Sequence, residues 1–286
     1  MAPREPPHLF SQWTSLTPAL SRAESLAIFL DFDGTLAGIR RRPDDVHLSP
    51  VVCRLLSRLA GQGHLLGIVS GRPLDDLERK VGLPGVWYVG VHGFFLRAPG
   101  RKPTTFATRT ERADIARATA CLRRDLGHVP GLLIEPKIAA VAVHYRGARA
   151  RARALASSVV HRVVRKHPRL RLMAGNRVWE VLPVDVVDKF NAVQRILRAD
   201  RAETTTPRRV AIYVGDDITD ESVFRKFSGL SVVVGRRRPT HAKFALESPW
   251  EVREFLRRLE VVGGKARQAK GQRRARGPCI DAAVMD

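Results

Sequence analysis

The sequence predicts an α/β protein, a mostly parallel sheet covered by helices on both faces, with a smaller α+β unit inserted in its middle. Three observations predict it. Short apolar runs alternate with amphipathic helical stretches at both ends of the chain. The runs end at glycine or at clustered polar residues. Between them lies a segment in which strands come in pairs.

The elements follow in order. Leu26 to Leu30 is a buried strand, and a helix follows from about Pro50 to Ala60, with Ser49 as N-cap and Pro50 at the first helical position. HLLGIVS (64–70) is a second strand, stopped by Gly71, and leads into the helical stretch PLDDLERKV (73–81). WYVGVHG (87–93) is a third strand. RRVAIYVGDD (208–217) and LSVVVG (230–235) resume the same habit. Such continuous apolar runs suit strands buried on both faces. In the middle, LLIEPKIAAVAVHYR (132–146) reads as two strands broken at Pro136, and RLRLMAGNRVWEVLP (169–183) as a hairpin turning at Ala174-Gly175-Asn176. Helices over 109–127 and 148–167 accompany them, the second with a basic face. The expected division is a core of residues 1–94 and 184–262, an inserted unit of residues 95–183, and a basic tail, 263–286, without periodicity and expected to be disordered.

Composition narrows the classes. The chain has 286 residues, 44% of them hydrophobic, enough to bury a full core. No apolar run approaches the roughly 20 residues of a membrane span. MAPREPPHLF lacks the apolar centre of a secretion signal, and three widely spaced cysteines suit neither a disulfide framework nor a zinc site, so a reducing, cytoplasmic location is expected. The net charge is +22, concentrated in residues 101–175, which hold 17 Lys and Arg against 4 Asp and Glu, and in the tail. This field attracts anions, whether a phosphorylated metabolite or a nucleic acid. Phe106 and Tyr145 are the only aromatics in 101–175, too few for a base-stacking platform, so nucleic acid is expected at most as a weak contact of the tail.

In an open parallel sheet, functional groups gather beyond the carboxyl ends of the strands. The first strand presents Asp31 and Asp33 there, the second Ser70, Gly71 and Arg72, and RVAIYVG presents Asp216 and Asp217, with Asp220 and Glu221 behind them. Lys189 begins a helix between the inserted unit and that strand. Each feature alone is an ordinary turn, helix start or solvated side chain; the four together and in this order are not. Clustered carboxylates with one lysine suit a hard cation such as Mg²⁺, which takes oxygen ligands and keeps positions for phosphate oxygens. Asp31 is then the nucleophile toward phosphorus, and Asp33 the general acid and base. Ser70 and Lys189 hold phosphate oxygens, and Asp216 holds the metal with a further contact from Asp217 or Asp220.

DFDGTL, SGR, the lysine at 189 and GDDITDE closely resemble the four motifs of the haloacid-dehalogenase-like (HAD) phosphatases. That resemblance implies a Rossmann-like core, a C2-type cap formed by the insertion, and an aspartyl-phosphate intermediate. It also implies Mg²⁺ on Asp31, the Asp33 carbonyl and Asp216. GVHG (90–93), IEPK (134–137), VHYR (143–146), VWEVLP (178–183) and DK (188–189) extend it to the trehalose-6-phosphate phosphatase family. The implied activity is hydrolysis of trehalose 6-phosphate, with Glu135, Lys137, Arg146 and Glu180 on the sugar hydroxyls and Arg72 beside the substrate. His92 and His144 read as structural. The chain departs from the family pattern at Phe190, where glycine is usual, and at Leu182, where arginine is usual. Another sugar phosphate, of the sucrose 6-phosphate or glucosyl-glycerol phosphate type, is the alternative substrate.

Overall fold

The computed structural model describes residues 5–40, 42–175, 177–184, 188–203, 209–235 and 239–275. The chain opens with α1 (Trp13–Arg22), β1 (Leu26–Leu30), α2 (Pro50–Gly61), β2 (Leu65–Val69), α3 (Leu74–Val81) and β3 (Trp87–Gly90). Ser49 caps α2 as expected, its hydroxyl accepting from Val51 N. Next come β4 (Phe95–Arg97), β5 (Thr104–Thr105), α4 (Arg109–Leu126), β6 (Leu133–Lys137), β7 (Ala140–His144), α5 (Ala150–Lys166), β8 (Leu170–Gly175) and β9 (Val178–Pro183). The chain closes with α6 (Lys189–Glu203), β10 (Val210–Gly215), α7 (Glu221–Lys226), β11 (Leu230–Val234), β12 (Phe244–Leu246) and α8 (Pro249–Ala275).

Eight strands form the main sheet in the order β12-β11-β10-β1-β2-β3-β4-β5, parallel through β3 and antiparallel beyond it. The acid-bearing strand β1 is therefore central, flanked by β10 and β2. Helices α1, α2 and α8 pack on one face, where Leu55, Leu56 and Leu59 meet Phe255, Leu256 and Leu259. On the other face Val193 and Ile196 of α6 and Phe224 of α7 pack against Phe29 and Tyr213.

The inserted unit is a four-stranded antiparallel sheet, β6-β7-β9-β8, backed by α4 and α5 through Ile115, Leu122, Val159, Val160, Val141 and Val181. Period-two alternation leaves Leu133, Glu135 and Lys137, Ala140, Ala142 and His144, and Glu180 and Leu182 on its other face. That face looks onto the carboxyl edge of the main sheet, and the alanines leave it shallow in the middle. Val91 and Phe94 of the core pack with Ala139, Ala140 and Leu182 of the insert and seal one side of the junction.

Three expectations change. Residues 95–105 belong to the core sheet rather than the insert, because β4 pairs onto β3, covering an edge that would otherwise expose unpaired backbone, and β5 pairs onto β4. Pro136 does not break its strand: β6 is the sheet edge, where a missing N–H costs no ladder bond, and the chain turns after Lys137. Helix α8 continues to Ala275 across the start of the expected disordered tail, since KARQAKGQRRA is rich in strong helix formers. Residues 276–286 of that tail, and Asn176 of the expected turn, lie outside the described residues. Among the described residues no helix is long and apolar enough to cross a membrane.

Candidate active site

Asp31 still belongs to the sheet, its N–H donating to Val214 O at 2.9 Å, so strand β1 holds this carboxylate rigidly. Phe32, wholly buried, anchors a tight turn in which Gly34 N donates to Ala37 O at 2.7 Å and Ala37 N to Phe32 O at 3.0 Å. Gly34 has φ +82°, and a Cβ there would stand 2.0 Å from Asp216 Oδ2. Only glycine meets both demands. The turn sends Asp31 and Asp33 in different directions.

Asp31 faces the lysine. Asp188 caps α6 by accepting from Asn191 N at 2.8 Å, which fixes Lys189 at the first helical position. A cation at a helix N-terminus opposes the dipole. Two carboxylates offset this: Lys189 Nζ donates to Asp31 Oδ1 at 3.0 Å and to Asp220 Oδ1 at 2.7 Å, all three groups buried. Burial works against the ammonium charge, yet Asp220 and Asp31 outweigh it and hold Lys189 well above the ordinary lysine range. Tyr213 OH also donates to Asp220 Oδ1 at 2.6 Å, and Asp217 N to Asp220 Oδ2 at 3.0 Å. Both oxygens of Asp220 are thus engaged. Asp217 Oδ1 accepts from Ile218 N and caps the short turn that follows.

Asp33 faces an arginine. Arg72 donates through Nε and Nη2 to the two oxygens of Asp33, both at 2.7 Å, through Nη1 to Asp76 at 2.7 Å, and again through Nη2 to Pro43 O at 2.8 Å. Four of its five N–H donors are therefore used inside the protein. Arg72 borders the cleft expected to take the substrate, and its forked head orients Asp33. Ser70 follows β2 with its N–H on Val89 O, and its Oγ accepts from Arg72 N at 3.1 Å, which leaves the hydroxyl proton to donate.

The insert closes the space from the other side. Lys137 Nζ donates to Glu180 Oε1 at 2.5 Å and to Gly71 O, in the loop after β2, at 2.7 Å. Glu180 Oε2 pairs with His92 Nε2, and Glu135 Oε2 with His144 Nε2 at 2.8 Å. Burial opposes the charge on Glu180, but His92 and Lys137 prevail and hold this carboxylate far below its usual range. Glu135 is likewise lowered against its burial, by His144 and Lys137. Together with Asp31, Asp33, Ser70, Lys189, Asp216 and Asp217, the residues Glu135, Lys137, Arg146 and Glu180 border one cleft of about 810 Å³. That falls within the roughly 300–1,000 Å³ range of small-molecule sites.

His92, read as structural from the sequence, also borders the cleft. Val91 and His92 adopt φ of 48° and 55°, and Gly93 follows at 114°. A β-branched residue in that region is strained by about 1–3 kcal/mol. The available signal was position alone: His92 lies beyond the carboxyl end of β3, the same edge that carries the acids.

The cluster suits a divalent cation. Carboxylate oxygens of Asp31, Asp216 and Asp220 lie within 4.8 Å of one another. Burial pushes Asp31 up to about 7 despite Lys189, with Asp220 and Asp33 adding repulsion. Burial, then Asp31 and Asp220, push Asp216 up to about 10. Such crowding needs a proton or a cation to relieve it. The Asp33 carboxylate, held by Arg72, stands outside this group. Asp217, whose Oδ1 caps the next turn, is not part of this group.

The two departures from the family pattern leave the acids untouched. The Phe190 ring packs toward α7, with Lys226 Nζ 5.6 Å from its centroid. Leu182 lies in the apolar seal between core and insert, two positions from Glu180 on the same strand face.

A parallel sheet with this acid order at its edge and an α+β cap above it defines the HAD-like phosphatase class. A solved structure described as a HAD subclass IIB sugar phosphatase superposes with a TM-score of 0.54 at 14% identity, over 82% of this chain and 98% of that one. The trehalose-phosphatase family model matches residues 29–249, and the chain belongs to that family. It is 39% identical over 261 residues to the trehalose-phosphate phosphatase of Mycobacterium tuberculosis, the match covering 87% of this chain and 66% of that protein. It thus spans about two thirds of the length of its mycobacterial relatives. The C-terminal domain of C. albicans trehalose-6-phosphate phosphatase shares the fold, with a TM-score of 0.76, 22% identity, and coverage of 90% of this chain and 98% of that one. A trehalose-6-phosphate phosphatase related protein gives 0.71 at 27% identity over 84% and 99%.

Proposed function

We propose that this protein hydrolyses trehalose 6-phosphate to trehalose and phosphate through an aspartyl-phosphate on Asp31. One observation carries the reading: Asp31 and Asp33, two residues apart, stand in opposite surroundings, one against Lys189 in the acid cluster and one in the fork of Arg72. The names of its mycobacterial relatives support the substrate.

Asp31 attacks phosphorus, and the bond from phosphorus to the sugar oxygen breaks as the leaving oxygen takes a proton from Asp33, which enters this step as the neutral carboxyl with one oxygen released from the Arg72 fork. Asp33, now a base, removes a proton from the water that attacks the acyl phosphate. Inorganic phosphate leaves and Asp31 is restored. Ser70 and Lys189 hold phosphoryl oxygens, and Asp220 keeps Lys189 aimed. Asp31, Asp216 and the Asp33 carbonyl would hold Mg²⁺, which when bound neutralises charge on the phosphoryl group and the carboxylates. Glu135, Lys137 and Glu180 present acceptors and donors to sugar hydroxyls from rigid strands of the cap, and Arg146 from the turn after β7.

The test is a phosphate-release screen over trehalose 6-phosphate, sucrose 6-phosphate and a glucosyl-glycerol phosphate, with and without Mg²⁺. Mg²⁺-dependent preference for the trehalose ester is expected; no preference among the three would overturn the substrate assignment.

A further inference from the structure

We infer that His92 is a positioning residue for sugar recognition, fixing Glu180 of the cap to the phosphate-side loop of the core; this rests on the reading above. The observations come from backbone, packing and side-chain chemistry.

The strained turn carrying His92 is clamped to the loop after β2: His92 N donates to Ser70 O at 3.1 Å, and Val91 N to Arg72 O at 2.9 Å. The imidazole packs against Gly71, where an added Cβ would stand 2.5 Å from His92 Cε1. Gly71 is the residue whose carbonyl also takes Lys137 Nζ. Glu180 then receives His92 on one oxygen and Lys137 on the other. Four groups thus form one buried circuit, in which a cap carboxylate and a cap ammonium are both referred to the backbone beside Ser70.

Among the described residues no side-chain hydrogen bond from the core holds the ring. Its Nδ1 is buried without a hydrogen-bond partner among the described residues, so the ring's hydrogen bond there is the one to Glu180. Leu182, two residues on from Glu180, and Val91, next to His92, belong to the same apolar seal, which dries one side of the circuit and strengthens it. A left-handed backbone at Val91 and His92 costs free energy, and structures keep such strain where a side chain must be aimed. What this one aims is the partner of a sugar-facing acid. His92 acts through Glu180 and makes no contact of its own with the phosphoryl group.

The experiment compares trehalose 6-phosphate with p-nitrophenyl phosphate, which has no sugar, on wild type, His92→Ala, His92→Gln, Glu180→Gln and the His92→Ala/Glu180→Gln double variant. His92→Ala should raise KM for the sugar ester about tenfold or more, with a smaller change in kcat. The ratio of kcat/KM for the sugar ester over the aryl ester should fall by a similar factor. His92→Gln, which restores a donor near the Nε2 position, should recover most of that ratio, and the double variant should be little worse than Glu180→Gln. Equal losses on both esters, no change in KM, or additive losses in the double variant would overturn the inference. Calorimetric titration of the sugar ester into Asp31→Asn, with and without His92→Ala, separates the two readings. Failure of Asp31→Asn to bind the ester removes the substrate assignment and this inference with it. Binding that His92→Ala leaves unchanged removes this inference alone.

Discussion

Arg72 grips Asp33 by both carboxylate oxygens at 2.7 Å and ties the same guanidinium to Asp76 and to the Pro43 carbonyl. The proposed proton carrier is thus aimed by a fork that a point charge cannot reproduce. Arg72→Lys should lower kcat about tenfold to hundredfold while KM moves less than about threefold, part of the 10²–10⁴ that general acid–base catalysis supplies. Steady-state kinetics with the trehalose ester check this; a change confined to KM would return Arg72 to the substrate.

Lys189 neutralises two buried acids at once, so its removal leaves both without their counter-charge. Lys189→Ala should destabilise the protein by about 3 kcal/mol or more, read by urea unfolding in the absence of divalent cation. Activity should fall with it even at temperatures where the variant is folded.

Crowding of Asp31 and Asp216 predicts that a cation binds the folded chain in preference to the unfolded one. Mg²⁺ at about 100 times its Kd should add about 2.7 kcal/mol of stability to wild type. Asp216→Asn should lose most of that gain in the same thermal melts. An undiminished gain would place the cation elsewhere.

Glu180 predicts an acid limb of stability. Its carboxyl is held below the ordinary 4.5 despite burial, because His92 and Lys137 favour the charged form. The unfolded chain therefore takes up the proton first as pH falls below about 4.5, and the stability Glu180 contributes is present above that pH and lost below it. Glu180→Gln should flatten the fall in melting temperature between about pH 5 and 3 relative to wild type. Parallel curves would show that the circuit adds nothing.

Most of the core was legible because strands buried on both faces leave continuous apolar runs, and polar residues at their ends mark one edge of the sheet. Asp31, Ser70, Lys189 and Asp216 could be placed at that edge without any contact being known. In the cap, alternation sets Glu135 with Lys137 and Glu180 with Leu182 on one strand face; a role toward sugar hydroxyls is what the family resemblance implies. The contacts themselves were not legible. His92 and Glu180 are 88 positions apart, and no local pattern announces their pairing. Arg72 could be expected at the substrate from its place after the second strand, but its grip on Asp33, 39 positions away, has no local signal. Residues 95–105 followed the third strand into the core because an open sheet edge seeks a partner, a tertiary demand that strands of two and three residues do not advertise.

The most direct test of the proposed chemistry is turnover of trehalose 6-phosphate by Asp31→Asn beside wild type, at equal folded concentration and with Mg²⁺. The nucleophile assignment predicts phosphate release by wild type and a loss of at least about 10³-fold in the variant, whose amide cannot form the acyl phosphate. Turnover by Asp31→Asn near the wild-type rate would contradict it.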